Sequence, residues 1–194
     1  MYTLNQSGSG LRVAEVDTRD GTVTAPATGS ILLKQEQFGA FYQTTLTLSE
    51  VPQAVVNGTE YQSTLLYTFP EGRIFVLGCT ATLQQKTTSA LASTLNASST
   101  GAISLGTAAA SSTTLNGTAA DLLPSTAFTS SATINVAGTA VSAALSAAAA
   151  FDGTSSAKVV RLNTAYATTT DVDADATQTI SGTIVLTWVF LGDY

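Results

Sequence analysis

Residues 177–191 alternate strictly. Ile180, Gly182, Ile184, Leu186, Trp188 and Phe190 fall on one side, and Thr179, Ser181, Thr183, Val185, Thr187 and Val189 on the other. A side-chain period of two belongs to a β-strand, whereas neighbours on one face of a helix recur at three and four. The even face is a core face and carries the chain's only tryptophan. The odd face is β-branched or hydroxylated, as strands favour. A strand of this length can cross a whole sheet, with a bulge expected at Gly182.

The same period recurs upstream. Phe41 to Leu48 sets Tyr42, Leu46 and Leu48 against Gln43, Thr45 and Thr47. From Arg73 onward Phe75, Leu77, Cys79, Ala81 and Leu83 share one face, and Ile74, Val76, Thr80 and Thr82 share the other. Both faces are apolar near the start, which predicts a central strand. The expected core is therefore Phe75, Leu77, Cys79, Ile184, Leu186, Trp188 and Phe190. Two turns are predicted between such runs. Pro70-Glu71-Gly72 is to close a hairpin within Ser63–Cys79, since proline presets one φ and glycine relieves the next. Asp20-Gly21 is to close another after Leu11–Val16.

The middle of the chain is less patterned. Ala, Thr and Ser number 30, 34 and 20 of 194 residues, and the 65 residues between Lys86 and Asp152 hold one charge, Asp121. Alanine favours helix, so Ala137 to Phe151 has a helical alternative. Thr, Ser and Gly interrupt it at short intervals, and Asn116-Gly117 and Asp152-Gly153 are turn dipeptides, so short strands and long loops are the preferred reading. Asp121-Leu122-Leu123 is expected to make one helical turn that Pro124 ends. One all-β sandwich over 11–194, preceded by a flexible Gly/Ser-containing arm over 1–10, is the resulting domain plan.

Charge and chemistry exclude whole classes of function. Charged residues are 10% of the chain, against roughly 25% in an ordinary soluble domain. On a compact body of this mass that leaves roughly one charge per 430 Å². Much of the surface is then hydroxyl, methyl, or covered by a partner. A net charge of −6 with scattered arginines argues against nucleic acid as a partner. No apolar stretch is long enough for a membrane span, and no secretory signal is visible at the start, so the product is expected to fold where it is made. There is no histidine, which removes the Ser-His-Asp and Cys-His designs and imidazole metal ligands. Glu36, Glu50, Glu60 and Glu71 show no spacing that assembles a carboxylate pair. No catalytic residue and no cofactor are predicted.

Asp171, Asp173 and Asp175 alternate like oxygen ligands for a hard cation. The calcium-loop pattern also needs glycine at its sixth place and glutamate at its twelfth, where this chain has Ala176 and Gly182. A solvated acidic loop is the better reading, so no metal is expected. Cys79 stands alone, which forbids an intramolecular disulfide and fits a buried small hydrophobe.

Three stretches carry a resemblance: Phe69-Pro-Glu-Gly-Arg-Ile-Phe-Val-Leu-Gly, Leu115-Asn-Gly-Thr-Ala-Ala-Asp-Leu-Leu-Pro-Ser-Thr-Ala, and the close from Ile180 to Tyr194. Together they are similar to small structural proteins of tailed-bacteriophage heads, some of which act as decoration or cement proteins. The resemblance covers Phe69 to Tyr194 and carries no catalytic residue. It implies a jelly-roll-like antiparallel β-sandwich with long Ala/Thr/Ser-rich loops, oligomeric and commonly trimeric. It also implies a place on the outer capsid surface of the virion, where the protein would bridge major capsid protein subunits. The alternative is a fibre or tail-tip module that binds a host glycan or protein, with Tyr61, Tyr166 and Tyr194 available to stack on sugars.

Overall fold

The computed structural model describes residues 2–6, 11–15, 21–87, 100–129, 141–144, 149–166, 172 and 175–192. In chain order the strands are β1 (Tyr2–Gln6), β2 (Leu11–Glu15), β3 (Thr22–Val23), β4 (Ser30–Phe38), β5 (Phe41–Val55), β6 (Tyr61–Thr68) and β7 (Gly72–Thr87). They continue as β8 (Thr100–Gly106), β9 (Leu123–Thr129), β10 (Val141–Ala144), β11 (Ala149–Gly153), β12 (Val159–Tyr166) and β13 (Ala176–Gly192).

Two antiparallel sheets form the body. One runs β10-β7-β13-β5-β4, with β11 also on β7; the other runs β3-β6-β12-β8-β9. From β5 onward, β5, β13, β7 and the β10/β11 pair face β6, β12, β8 and β9. That order is the double Greek key of a jelly roll. β4 widens the first sheet and β3 the second. Before them, β1 and β2 pair as a two-stranded ribbon, from Tyr2 opposite Glu15 to Gln6 opposite Leu11. The sandwich predicted from alternation is therefore the observed architecture.

Burial of alternate residues from both sheets drives the assembly. Leu46, Ile74, Val76, Ile184, Leu186 and Trp188 of the first sheet meet Leu66, Leu105, Val160 and Leu162 of the second, all without solvent contact. Trp188 sits at the centre of an aromatic group. It stacks on Tyr42 at 4.4 Å and meets Phe69 edge-on at 5.3 Å, while its indole N–H donates to Thr44 Oγ1 at 3.0 Å.

Three expectations are corrected. The Pro70-Glu71-Gly72 turn does not close a hairpin: β6 and β7 lie in different sheets, so the chain arches from one to the other. Phe69 drives this, since its ring is buried between Tyr67 and Trp188 in the space the arch spans. Asp20-Gly21 does not join paired strands either, because β2 pairs with β1 and β3 pairs with β6. The single short helical turn lies at Gly117–Ala119 among the described residues, and Pro124 sits in β9, an edge strand that tolerates its missing N–H. Where Ala137–Phe151 had a helical alternative, the described residues form β10 and β11.

Candidate functional site

Parity within β7 decides what reaches the surface. Opposite β13, Trp188 pairs with Val76 and Thr187 pairs with Gly78, so Leu77 has no partner in the ladder. One extra residue reverses every side chain on one side of the bulge. Ile74 and Val76 therefore point inward together with Cys79, Ala81 and Leu83, while Phe75 is half-buried and Leu77 is exposed. This overturns the placement of Phe75 and Leu77 in the core. Cys79, Ile184, Leu186 and Trp188 are buried, and Phe190 is partly buried against the core.

A second bulge acts likewise in β5. Ile180 pairs with Val51 and Gly182 with Leu48, so Ser181 faces both Ser49 and Glu50. Glu50 takes a left-handed φ of 52° and its N–H donates to Ser181 Oγ at 2.9 Å. Gly182 has φ 140°, and a Cβ there would lie 2.1 Å from the Thr82 carbonyl oxygen. The bulge expected at Gly182 is present, with its extra residue on the partner strand.

These registers line up an apolar row across the outer face of the first sheet. Phe38 pairs with Phe41, Phe41 with Val189, Val189 with Phe75, and Phe75 with Ala150. The residues beside them in β5, β13 and β7, namely Tyr42, Trp188 and Val76, point inward, so the row points out. Phe38 is 54% and Phe41 49% exposed, and both flank the two-residue turn Gly39-Ala40. Leu77 and Leu191 flank the row, and Leu32 stands on the outer face of β4. Toward the other end, Thr183, Thr47 and Thr82 continue the same face as hydroxyls. The sheet thus has one apolar and one hydroxylated end.

The outer face of the second sheet is different, because the loop from Thr107 to Leu122 lies over it. Asn163 is fully buried beneath that loop, donating to the carbonyls of Ala108 and Ala119 at 3.1 and 2.8 Å and accepting from Ala110 N–H at 3.0 Å. Ser104 donates to Ala119 O at 2.7 Å. Asp121 accepts from the Thr107 N–H and hydroxyl at 2.8 and 2.5 Å, and burial holds its carboxyl above the ordinary range despite those bonds. Among the described residues, an exposed apolar patch is thus confined to the first sheet.

The remaining candidates stay apart. Asp171 and Asp173 lie outside the described residues, and Asp175 Oδ1 accepts the Asn57 N–H at 2.9 Å. Among the described residues no three His, Cys, Asp or Glu side chains gather as a metal site. Glu36, Glu50, Glu60 and Glu71 occupy four different elements or loops; Glu36 pairs with Lys34 at 3.0 Å, Glu50 with Lys86 at 2.6 Å, and Glu60 accepts Gly58 N–H. Tyr166 is buried, Tyr61 is half-buried, and Tyr194 lies outside the described residues. Burial pushes the Cys79 thiol up to about 12. Among the described residues no helix is long and apolar enough to cross a membrane.

Strand order and site together define a jelly-roll sandwich with an apolar outer face. No family model matches the chain, and no curated protein matches it. Among solved structures, "Structure of infectious bursal disease virus Gt strain" aligns with 99% of this chain and 38% of that chain, at 10% identity and a TM-score of 0.28. This chain thus spans less than half of that one, and a likeness so distant carries no weight beside the strand order.

Proposed function

We propose that the protein is a structural component of a virus particle, seated on the outer surface of a tailed-bacteriophage head and bridging neighbouring major capsid protein subunits. The observation that carries this reading is the outward-facing apolar row Phe38–Phe41–Val189–Phe75, exposed at Phe38 and Phe41 and half-buried at Val189 and Phe75, on a chain with only 10% charged residues. Apolar area of this kind gains free energy when water leaves it, and an otherwise weakly charged surface offers little repulsion to a docking partner. Jelly rolls recur among viral capsid proteins, in agreement with the resemblance of Phe69–Tyr194 to phage head proteins. The mechanism is mechanical. Binding free energy of the seated copy adds to the work of separating the subunits beneath it, and many copies act in parallel.

The test combines copy number with surface mutation. Gel densitometry of purified particles should find the protein in numbers comparable to the major capsid band; a handful of copies favours the host-attachment alternative, and absence refutes both. Phe38→Asp with Phe41→Asp should leave the far-UV spectrum and melting temperature intact and weaken particle binding at least about tenfold. Unchanged binding would remove the row as the docking surface.

A further inference from the structure

Asn-Gly-Thr occurs twice in the chain, at 57–59 and at 116–118. Asparagine followed by glycine is open to ring closure, because a residue without Cβ leaves its backbone nitrogen unshielded and free to turn toward the asparagine side chain. Sequence treats the two copies alike. Exposure does too: Asn57, Gly58, Asn116 and Gly117 are all exposed, and a Cβ at either glycine would meet nothing within 4 Å. What separates them is the hydrogen bonding of the nitrogen that must attack.

At the first copy that nitrogen is held. The Gly58 N–H donates to Glu60 Oε1 at 2.8 Å, and the Asn57 N–H donates to Asp175 Oδ1 at 2.9 Å. Glu60 is buried with a left-handed φ of 54°, and the Val56 carbonyl accepts both Thr59 N–H and Glu60 N–H, so the loop is closed around the bond. Removing the Gly58 proton would break a charge-assisted bond and set an amide anion beside a carboxylate. At the second copy the nearest acid in sequence, Asp121, is engaged with Thr107 instead. Leu115 and Ala119 are buried anchors, and residues 116–118 are the exposed stretch between them. The turn bonds, Ala119 N–H to Asn116 O and Ala120 N–H to Gly117 O, leave the Gly117 nitrogen out, and the Asn116 side chain makes no cap bond. With Asn116 ψ at 179°, the Gly117 nitrogen lies gauche to Cβ, so part of one rotation about Cα–C brings it to the side-chain carbonyl.

We infer that Asn116 is a self-modification site, deamidating through Gly117 while the fold protects Asn57. A solvent base takes the Gly117 N–H proton, and the nitrogen attacks Asn116 Cγ. The N–Cγ bond forms, Cγ–Nδ2 breaks, and the leaving group takes up a proton and departs as ammonia, which leaves a cyclic succinimide. Water then opens either imide C–N bond, giving aspartate at 116 or an isoaspartate whose main chain runs through Cβ and Cγ. No oxidant or reductant takes part, and each event adds a negative charge. The isoaspartyl form also lengthens the chain close to Ala119, whose carbonyl accepts from Ser104 and Asn163. Modification should therefore loosen the loop that covers the second sheet. That sheet lies opposite the proposed docking row, so the reaction stays open to a particle-bound copy, yet its chemistry does not depend on the capsid reading.

Peptide mass mapping of the native protein, aged in mildly alkaline heavy-oxygen water, tests it. The peptide holding Asn116 should take up heavy oxygen and split into aspartyl and isoaspartyl forms, at least about tenfold faster than the peptide holding Asn57. In urea the two should react at similar rates, since the tripeptides are identical. Asn116→Gln should abolish the uptake there, and Gly117→Ala should slow it about tenfold or more. Glu60→Gln removes the charge facing Gly58 and should speed Asn57 in the folded state. Amide hydrogen exchange makes the same comparison without mutation: the Gly58 N–H should exchange at least about tenfold more slowly than the Gly117 N–H. Equal rates in the folded protein, a faster Asn57, or an Asn116 that reacts only after unfolding would overturn the inference. Particle binding is measured separately, so failure of the capsid reading leaves these rates intact and the reverse holds too.

Discussion

Replacing Trp188 with alanine should be among the most damaging single changes available to this chain. The indole has no solvent contact, stacks on Tyr42, meets Phe69 edge-on and donates to Thr44. Emptying a site filled by a large aromatic costs about 3–5 kcal/mol. Two ring contacts at about 0.5–1.5 kcal/mol each, and a buried hydroxyl deprived of its donor, place the loss in the upper half of that range. Trp188→Phe retains a ring and forfeits the N–H, so about 1–2 kcal/mol is expected. Urea unfolding followed by far-UV circular dichroism compares all three proteins without depending on indole fluorescence. For a chain of this length the alanine variant should melt about 10–15 °C lower. A loss under about 2 kcal/mol at unchanged m-value would show that the even face of β13 is not the core face.

Two further outcomes follow from parity and burial. Val76→Asp should unfold the protein or cost several kcal/mol, while Leu77→Asp, one residue on, should cost less than about 1 kcal/mol, as thermal melts would show; equal damage would refute the bulge. Native Cys79 should resist iodoacetamide at pH 8 and react only on unfolding. Its folded value of about 12 lies above the ordinary 9.0. The thiol's contribution is therefore intact below pH 9 and is lost as pH rises toward 12, by about 1.4 kcal/mol per unit. Cys79→Ala, compared over the same range, should lack that part of the slope.

Alternation made the sandwich legible because a period of two survives in β13 from Ile180 to Phe190, and the burial of Ile184, Leu186 and Trp188 follows from it. It failed in β7, where Gly78 fits either face and nothing local marks Leu77 as the extra residue; only the pairing with β13 does. The Pro70-Glu71-Gly72 turn shows a similar limit, since proline and glycine announce a reversal but not whether the chain returns in the same sheet. Phe38-Gly39-Ala40-Phe41 is a local signal of the patch: two aromatics flank a glycine-bearing turn with the polar run Lys34–Gln37 before it. The rest of the apolar row was out of reach, because Val189, Phe75 and Ala150 become neighbours of Phe41 only through long-range register.

β13 lies between β5 and β7, so the last-made strand of these residues is the keystone of the first sheet. A nascent chain halted before residue 176 leaves the long edges of β5 and β7 unjoined and lacks Ile180, Ile184, Leu186 and Trp188 from its interior. Completion is thus a single late event of high contact order, slow by nature and vulnerable to foreign strands while it waits. Supplying 176–192 as a separate peptide to a chain lacking them would imitate that step, as strand donation does elsewhere.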